Sequence, residues 1–275
     1  MKIYDYDTKF FEYASGWMAL HPNMKPEEAE LHYNEMMSSW LDIPAKWLDG
    51  VKPGEYFKRY SEPKDLIKLL EEYDKRDFGI PEPLYARVVE VGAPCVEPLV
   101  RIALNTDRRE NLRGTAIAIV QEIGGEAARQ MDMTLMLTAK EKDEFADGAA
   151  EHLKQGADSA LAAELMEKYD SLKPWVQDLV LDVCIEVEPV PEQLYERLIY
   201  KLHNSAQNRA YYASLLGELG DPRAIEPLRE MMELSDVDYL DYIEIRNAIG
   251  MLGGELEDDD RSFSGDEGYE ALRNM

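Results

Sequence analysis

The chain of 275 residues carries 56 acidic and 30 basic side chains, so its formal net charge is −26 at pH 7. A surface this negative repels phosphate backbones, and we therefore expect no direct binding of nucleic acid. No apolar run approaches the roughly 18 residues that cross a membrane, and the first residues lack the basic and apolar regions of a signal peptide. These features predict a cytoplasmic protein without a membrane partner, too long for one compact helical bundle.

The two cysteines, Cys95 and Cys184, both lie within apolar helical patterns. We expect them to be buried, reduced thiols rather than a disulfide. Two cysteines and four scattered histidines do not form a zinc-binding spacing. The sequence therefore predicts neither a metal nor a cofactor, and it does not indicate an oligomeric state.

Residues 1–62 are predicted to form a helical cap rich in aromatic side chains. We expect Asp7 to cap its first helix and Pro26 to open its second one, since proline is favoured in the first turn of a helix. The aromatic positions are Phe10, Phe11, Tyr13, Trp17, Trp40 and Trp47. The cap would cover the open end of the first helix pair, and a ligand pocket is the alternative.

Residues 63–253 are predicted to repeat a pair of helices about every 32 residues. Predicted first helices begin near Pro63, Ala93, Glu126, Asp158, Pro191 and Pro222. Predicted second helices begin near Pro81, Asp107, Lys142, Lys173, Gln207 and Val237. A fixed period of this length is typical of an α-solenoid, and about six helix pairs fit into this range.

The second helix of each pair carries one apolar stripe. Counting back from the joint at its end by one, four, five and eight residues gives apolar side chains, the spacing of one helix face. Before Gly220 these are Leu219, Leu216, Leu215 and Tyr212. Before Gly156 the rule holds only after a slip of two residues, as Leu153, Ala150, Ala149 and Ala146, so we expect that helix to end early.

Residues 254–275 are acidic and contain glycine and serine, which predicts a mobile tail. The alternative is that Tyr269, Leu272 and Met275 lie back on the last helix pair.

The segment Leu219-Gly220-Asp221-Pro222, with Arg209 and the pair Leu215-Leu216 before it, resembles the HEAT-like repeats of the short phycobilisome-lyase type. A weaker match covers residues 92–125. The resemblance implies an all-α fold, a right-handed α–α superhelix. It does not imply one activity, because this group ranges from chromophore lyases to hydroxylases, DNA glycosylases and scaffolds. The hydroxylases of this fold use His-Glu pairs as iron ligands, and this sequence contains no such pair.

Second helices usually line the concave face of a solenoid, which is its binding surface. The positions opposite the apolar stripe should face outward there, and they are acidic with interleaved aromatic side chains. The candidate partner-binding residues are Trp175, Asp178, Asp182, Glu186, Tyr211, Glu218, Glu244 and Asn247.

These residues predict a non-catalytic scaffold that binds a basic protein or peptide. Three alternatives stay open. The face could be only a solvated acidic surface, with Trp175 packed into a repeat junction. The chain could be an inhibitor or immunity protein whose acidic face mimics nucleic acid. It could also be an enzyme on a HEAT-like scaffold, such as a lyase.

Overall fold

The computed structural model describes residues 2–23, 25–256 and 261–273, and all regular secondary structure within them is helical. The α-helices, numbered in chain order, are α1 (Tyr6–Ala19), α2 (Pro26–Leu31), α3 (Tyr33–Asp42), α4 (Pro63–Lys75), α5 (Glu82–Val91), α6 (Ala93–Ala103), α7 (Glu110–Ile123), α8 (Glu126–Thr138), α9 (Glu144–Gln155), α10 (Ser159–Lys168), α11 (Pro174–Cys184), α12 (Glu192–Asn204), α13 (Arg209–Leu219), α14 (Ile225–Met232), α15 (Tyr239–Met251) and α16 (Glu267–Arg273). From α4 to α15, each helix begins within three residues of its predicted start. The all-α class is thus confirmed over the described residues, none of whose helices is long and apolar enough to cross a membrane.

Backbone contacts divide the chain into two units, Met1–Thr134 and Leu135–Met275. In the first unit, α4 packs on α5 and α6 packs on α7. In the second unit, the pairs are α10 with α11, α12 with α13 and α14 with α15. Second helices also pack on one another, α9 on α11 and α13 on α15, because each presents one apolar stripe.

The turn between α13 and α14 shows how sequence sets these joints. Gly220 ends α13 with a φ of 72°, in the left-handed region that glycine enters without steric cost. The side chain of Asp221 then accepts a hydrogen bond from the backbone N–H of Arg223 at 2.9 Å. Pro222 follows in the first turn of a short 3₁₀ helix. Its lack of an N–H costs no hydrogen bond there, because N–H groups in the first turn have no partner within the helix.

The predicted apolar stripes are buried. Leu215, Leu216 and Tyr212 are at most 3% exposed. The four side chains given by the two-residue slip in α9 are also buried: Ala146, Ala149, Ala150 and Leu153. The expected early end of this helix is wrong, because α9 continues to Gln155, directly before Gly156.

The N-terminal segment, residues 2–59 without Met24, packs its aromatic side chains against one another. The ring of Tyr6 lies 5.7 Å from Trp40, 5.3 Å from Trp47 and 5.6 Å from Phe57 between centroids. Phe57 in turn contacts Tyr73 of α4 at 6.3 Å. The segment therefore packs on the first helix pair.

Two details of this segment differ from the prediction. Asp5, not Asp7, caps α1: its backbone is extended and its carboxylate accepts from the N–H of Thr8 at 3.0 Å. The helix starts earlier because Tyr6 in its first turn is buried among the rings. Phe11, one of the aromatic positions expected in the cap, is exposed, since α1 buries only the side that carries Tyr6 and Phe10.

The C-terminal segment, Arg261–Arg273, lies against α15, as in the alternative to the mobile tail. The ring of Tyr269 contacts Tyr239 at 5.0 Å. The side chain of Leu272 and all of Met275, which we considered as further contacts, lie outside the described residues, as do residues 257–260.

Candidate functional site

Seven of the eight predicted binding residues lie on three second helices, α11, α13 and α15, and Glu186 lies in the turn that follows α11. The hydroxyl of Tyr212 on α13 donates to Asp178 Oδ1 on α11 at 2.8 Å. On its other side α13 approaches α15 closely: a Cβ added to Gly217 would lie 3.1 Å from the Cα of Ala248. The order α11, α13, α15 therefore places the predicted residues on neighbouring helices.

None of the eight predicted residues is fully buried. Glu186, Tyr211, Glu218 and Asn247 are exposed, whereas the other four are partly buried. The partly buried residues are Trp175, Asp178, Asp182 and Glu244.

Asp178 is paired inside the protein. Its Oδ1 accepts hydrogen bonds from the Lys201 ammonium at 2.8 Å and from the Tyr212 hydroxyl at 2.8 Å. Lys201 is only 7% exposed, so this ion pair is shielded from water. Burial, and then the hydrogen bond to Asp178, raises the pKa of Tyr212 to about 12. Asp178 thus joins α11 to α12 and α13, and its charge is balanced before any partner arrives.

Asp182, Glu186 and Glu218, which we call the acidic trio, all act on the charge of one lysine on α9, and the first two contact it. The ammonium of Lys154 lies 3.1 Å from Asp182 Oδ1 and 3.9 Å from Glu186 Oε1. Burial alone would lower the pKa of Lys154. The hydrogen bond to Asp182 and the charges of the trio outweigh that effect and raise the pKa. Three carboxylates face one cation, so the group keeps a net negative charge.

Tyr211 adds an aromatic surface beside the trio. Its ring is 38% exposed, and its hydroxyl donates to the backbone oxygen of Asp178 at 3.4 Å. Burial, and then the charges of Asp182 and Asp178, raises its pKa, so the phenol stays neutral at physiological pH. A neutral ring next to carboxylates suits a guanidinium or an ammonium group, which can stack on the ring and pair with the acids.

The other three predicted residues lie farther along this face. Trp175 is in the first turn of α11, seven residues before Asp182, or about 10 Å along the helix axis. Glu244 and Asn247 are on α15, beyond α13. The eight predicted residues therefore include both a compact group near Lys154 and three residues farther away.

Sequence reasoning missed Lys154 and Lys201. Lys154 precedes its partner Asp182 by 28 residues, close to one repeat period. A search for opposite charges that allowed a departure of four residues from the 32-residue period would therefore have found it. Lys201 lies 23 residues after Asp178, which is far from the repeat period, so no sequence pattern indicates this pair.

Two other features of the described residues are relevant to chemistry. Cys184 is fully buried, and burial raises the pKa of its thiol to about 12, which makes it a poor nucleophile. Among these residues, no group of His, Cys, Asp and Glu side chains is arranged to hold a metal ion.

The first unit has a small pocket of about 300 Å³, lined by Asp74, Asp77, Asn111 and Thr115 among others. The guanidinium of Arg109 binds both Asp74 and Asp77 there. The two carboxylates of the pocket are therefore already paired.

Compared with protein-family models and with curated proteins, the chain has no match. The HEAT-like resemblance therefore stays a prediction based on the residues quoted above.

Proposed function

We propose that this protein is a non-catalytic scaffold, a HEAT-like right-handed superhelix that binds a basic protein or peptide. The acidic trio and the exposed ring of Tyr211 would form the centre of the binding face. The proposal thus has two components, the superhelical fold and the basic partner.

Contacts between successive helix pairs of the second unit support a repeat array. Arg197 pairs with Asp170 at 2.6 Å, 27 residues earlier, and Arg223 pairs with Glu192 at 2.7 Å, 31 residues earlier. The second separation is near the repeat period of about 32 residues, and the first is five residues shorter than that period. Because such exposed pairs contribute little stability, they support the array only by linking successive helix pairs.

The observation that carries the proposal is the pairing of Asp182 and Glu186 with Lys154 of α9, together with Glu218 of α13, whose charge also acts on this lysine. Three carboxylates against one cation leave an excess of negative charge beside an exposed aromatic ring. Aromatic anchors and charge complementarity are the usual sources of affinity and of association rate in protein interfaces. The formal charge of −26 would attract basic partners over a longer range.

Neutralising the acidic trio tests this proposal. The variant Asp182→Asn, Glu186→Gln, Glu218→Gln removes three negative charges and preserves side-chain size. We would measure binding of fluorescent arginine-rich peptides by anisotropy at low and moderate salt. Each exposed charge pair contributes about 0.2–1 kcal/mol, so the affinity should fall roughly tenfold.

The matched control is the variant Glu167→Gln, Glu196→Gln, Glu230→Gln, which changes the net charge equally. These three carboxylates are exposed on first helices, α10, α12 and α14. The control should bind the peptides as the unmodified chain does. Equal losses in both variants would show that the peptides respond to total charge and not to this face.

A further inference from the structure

The C-terminal segment makes directed contacts with the turn before α15. The Arg261 guanidinium donates to the backbone oxygens of Leu234 and Val237, each at 2.9 Å, and to that of Met232. These carbonyls lie in the last turn of α14 and in the loop that follows it. The arginine thus satisfies backbone acceptors that would otherwise need water.

Aromatic side chains continue the contact along α15. The ring of Phe263 lies 4.9 Å from Tyr242 and 5.2 Å from Tyr239. Tyr242 is only 6% exposed, so Phe263 helps to exclude water from it.

The start of α16 is fixed on the start of α15. Asp266 accepts from the backbone N–H of Tyr239 at 3.2 Å and from that of Tyr269 at 3.1 Å. At Gly268 an added Cβ would lie 3.0 Å from Leu240 Cγ, so a larger residue would push α16 away from α15.

Helix α15 contacts α13 and α14, and α16 packs on it as well. The side of α15 that the C-terminal segment covers carries Tyr239 and Tyr242, and an uncovered aromatic surface favours association with an identical surface on a second copy. We propose that the C-terminal segment is a cover for this surface, and that its task is to prevent two copies of this chain from packing together through α15. This inference does not depend on the acidic trio or on its partner.

Charge supports the same role. Residues 257–275 carry seven acidic and two basic side chains. The segments of two chains would therefore repel each other when they approach.

The first test disrupts the docking and retains the charge. In the full chain, Phe263→Ser with Tyr269→Ser should release the segment. We expect a concentration-dependent doubling of the mass in sedimentation velocity, with far-UV circular dichroism unchanged. The control, Phe11→Ser with Tyr200→Ser, removes rings that are 72% and 62% exposed, and its mass should equal that of the unmodified chain.

The second test removes the segment. A chain that ends at Leu256 keeps the hydrogen bond from Arg229 to the backbone of Glu255 and should also associate. A synthetic peptide of residues 257–275, added in excess, should reverse the association. If the mass of the double serine variant equals that of the full chain at every concentration, the proposal is overturned, whether the shortened chain folds or not.

Discussion

The N-terminal and C-terminal segments both cover a helix pair, but they do so by different physics. The N-terminal segment buries a cluster of large rings, in which Phe57 is 1% and Tyr6 is 4% exposed. In the C-terminal segment Phe263 stays partly exposed, and Arg261 makes hydrogen bonds to backbone oxygens. Burial of apolar area supplies more free energy than exchange of hydrogen bonds with water. We infer that the N-terminal segment is part of the core, whereas the C-terminal segment can be released.

The largest expected effect separates the two segments directly. Phe57→Ala should lower the free energy of unfolding by about 3–5 kcal/mol, because it leaves a cavity in the ring cluster. Phe263→Ala should cost on the order of 1 kcal/mol, since its ring pairs are partly exposed. Chemical denaturation of the full chain measures both changes. Similar losses would mean that the two segments are equally integrated.

The interior of the second unit provides a reference for both segments. Leu216 on α13 is 0% exposed, and Leu216→Ala should cost about 2–4 kcal/mol. Glu218, two residues later, faces water, so Glu218→Ala should stay within about 0.5 kcal/mol. Comparing the midpoints of denaturant unfolding decides this, and an equal shift in both would contradict the assignment of inner and outer faces.

Sequence reasoning predicted the local features of this protein and missed the long-range ones. The helix starts and the burial of Leu215 and Leu216 follow from a periodicity that is contained within each helix. The pairing of Lys154 with Asp182 depends on how neighbouring helices are aligned, which no single helix encodes.

Composition alone did not distinguish between the two alternatives for the end of the chain. An acidic segment with glycine and serine predicts mobility, but Arg261, Phe263 and Tyr269 make contacts that hold part of it on α15. A few side chains with well-placed partners outweigh the average character of a segment. The cap of α1 was misplaced for a related reason, because Asp5 and Asp7 are equally suitable locally and only the burial of Tyr6 distinguishes them.

Loss of a helix cap should have a smaller effect. Asp5 accepts from the N–H and the hydroxyl of Thr8, at 3.0 and 2.6 Å, so Asp5→Ala should cost about 1 kcal/mol. Asp7→Ala, in the same helical turn, is the control and should cost less, because Asp7 is not the cap. Thermal unfolding of both variants measures the difference, and the reverse order would restore Asp7 as the cap.

The smallest expected effect is a pH dependence of the free energy of unfolding, which has opposite signs for Asp5 near the N-terminus and for Asp241 in α15. The hydrogen bonds to Thr8 lower the pKa of Asp5 below its ordinary value of 3.8. Its stabilisation of the fold is therefore complete above that value and is lost as the pH falls through the lower folded pKa. Burial raises the pKa of Asp241 in α15 above 3.8, although its carboxylate accepts from the N–H of Ala210 at 2.9 Å.

For Asp241 the protonated form is favoured by folding, so its contribution is greatest at low pH and declines as the pH rises through the folded pKa. Asp241→Asn keeps an acceptor oxygen and removes the partly buried charge. It should therefore raise the stability of the chain slightly at pH 7, and the gain should shrink as the pH approaches 4. Denaturation of the variant and of the unmodified chain across this range measures the gain; a loss of stability at pH 7 that disappears as the pH approaches 4 would show that the charge of Asp241, and not its burial, is what α15 requires.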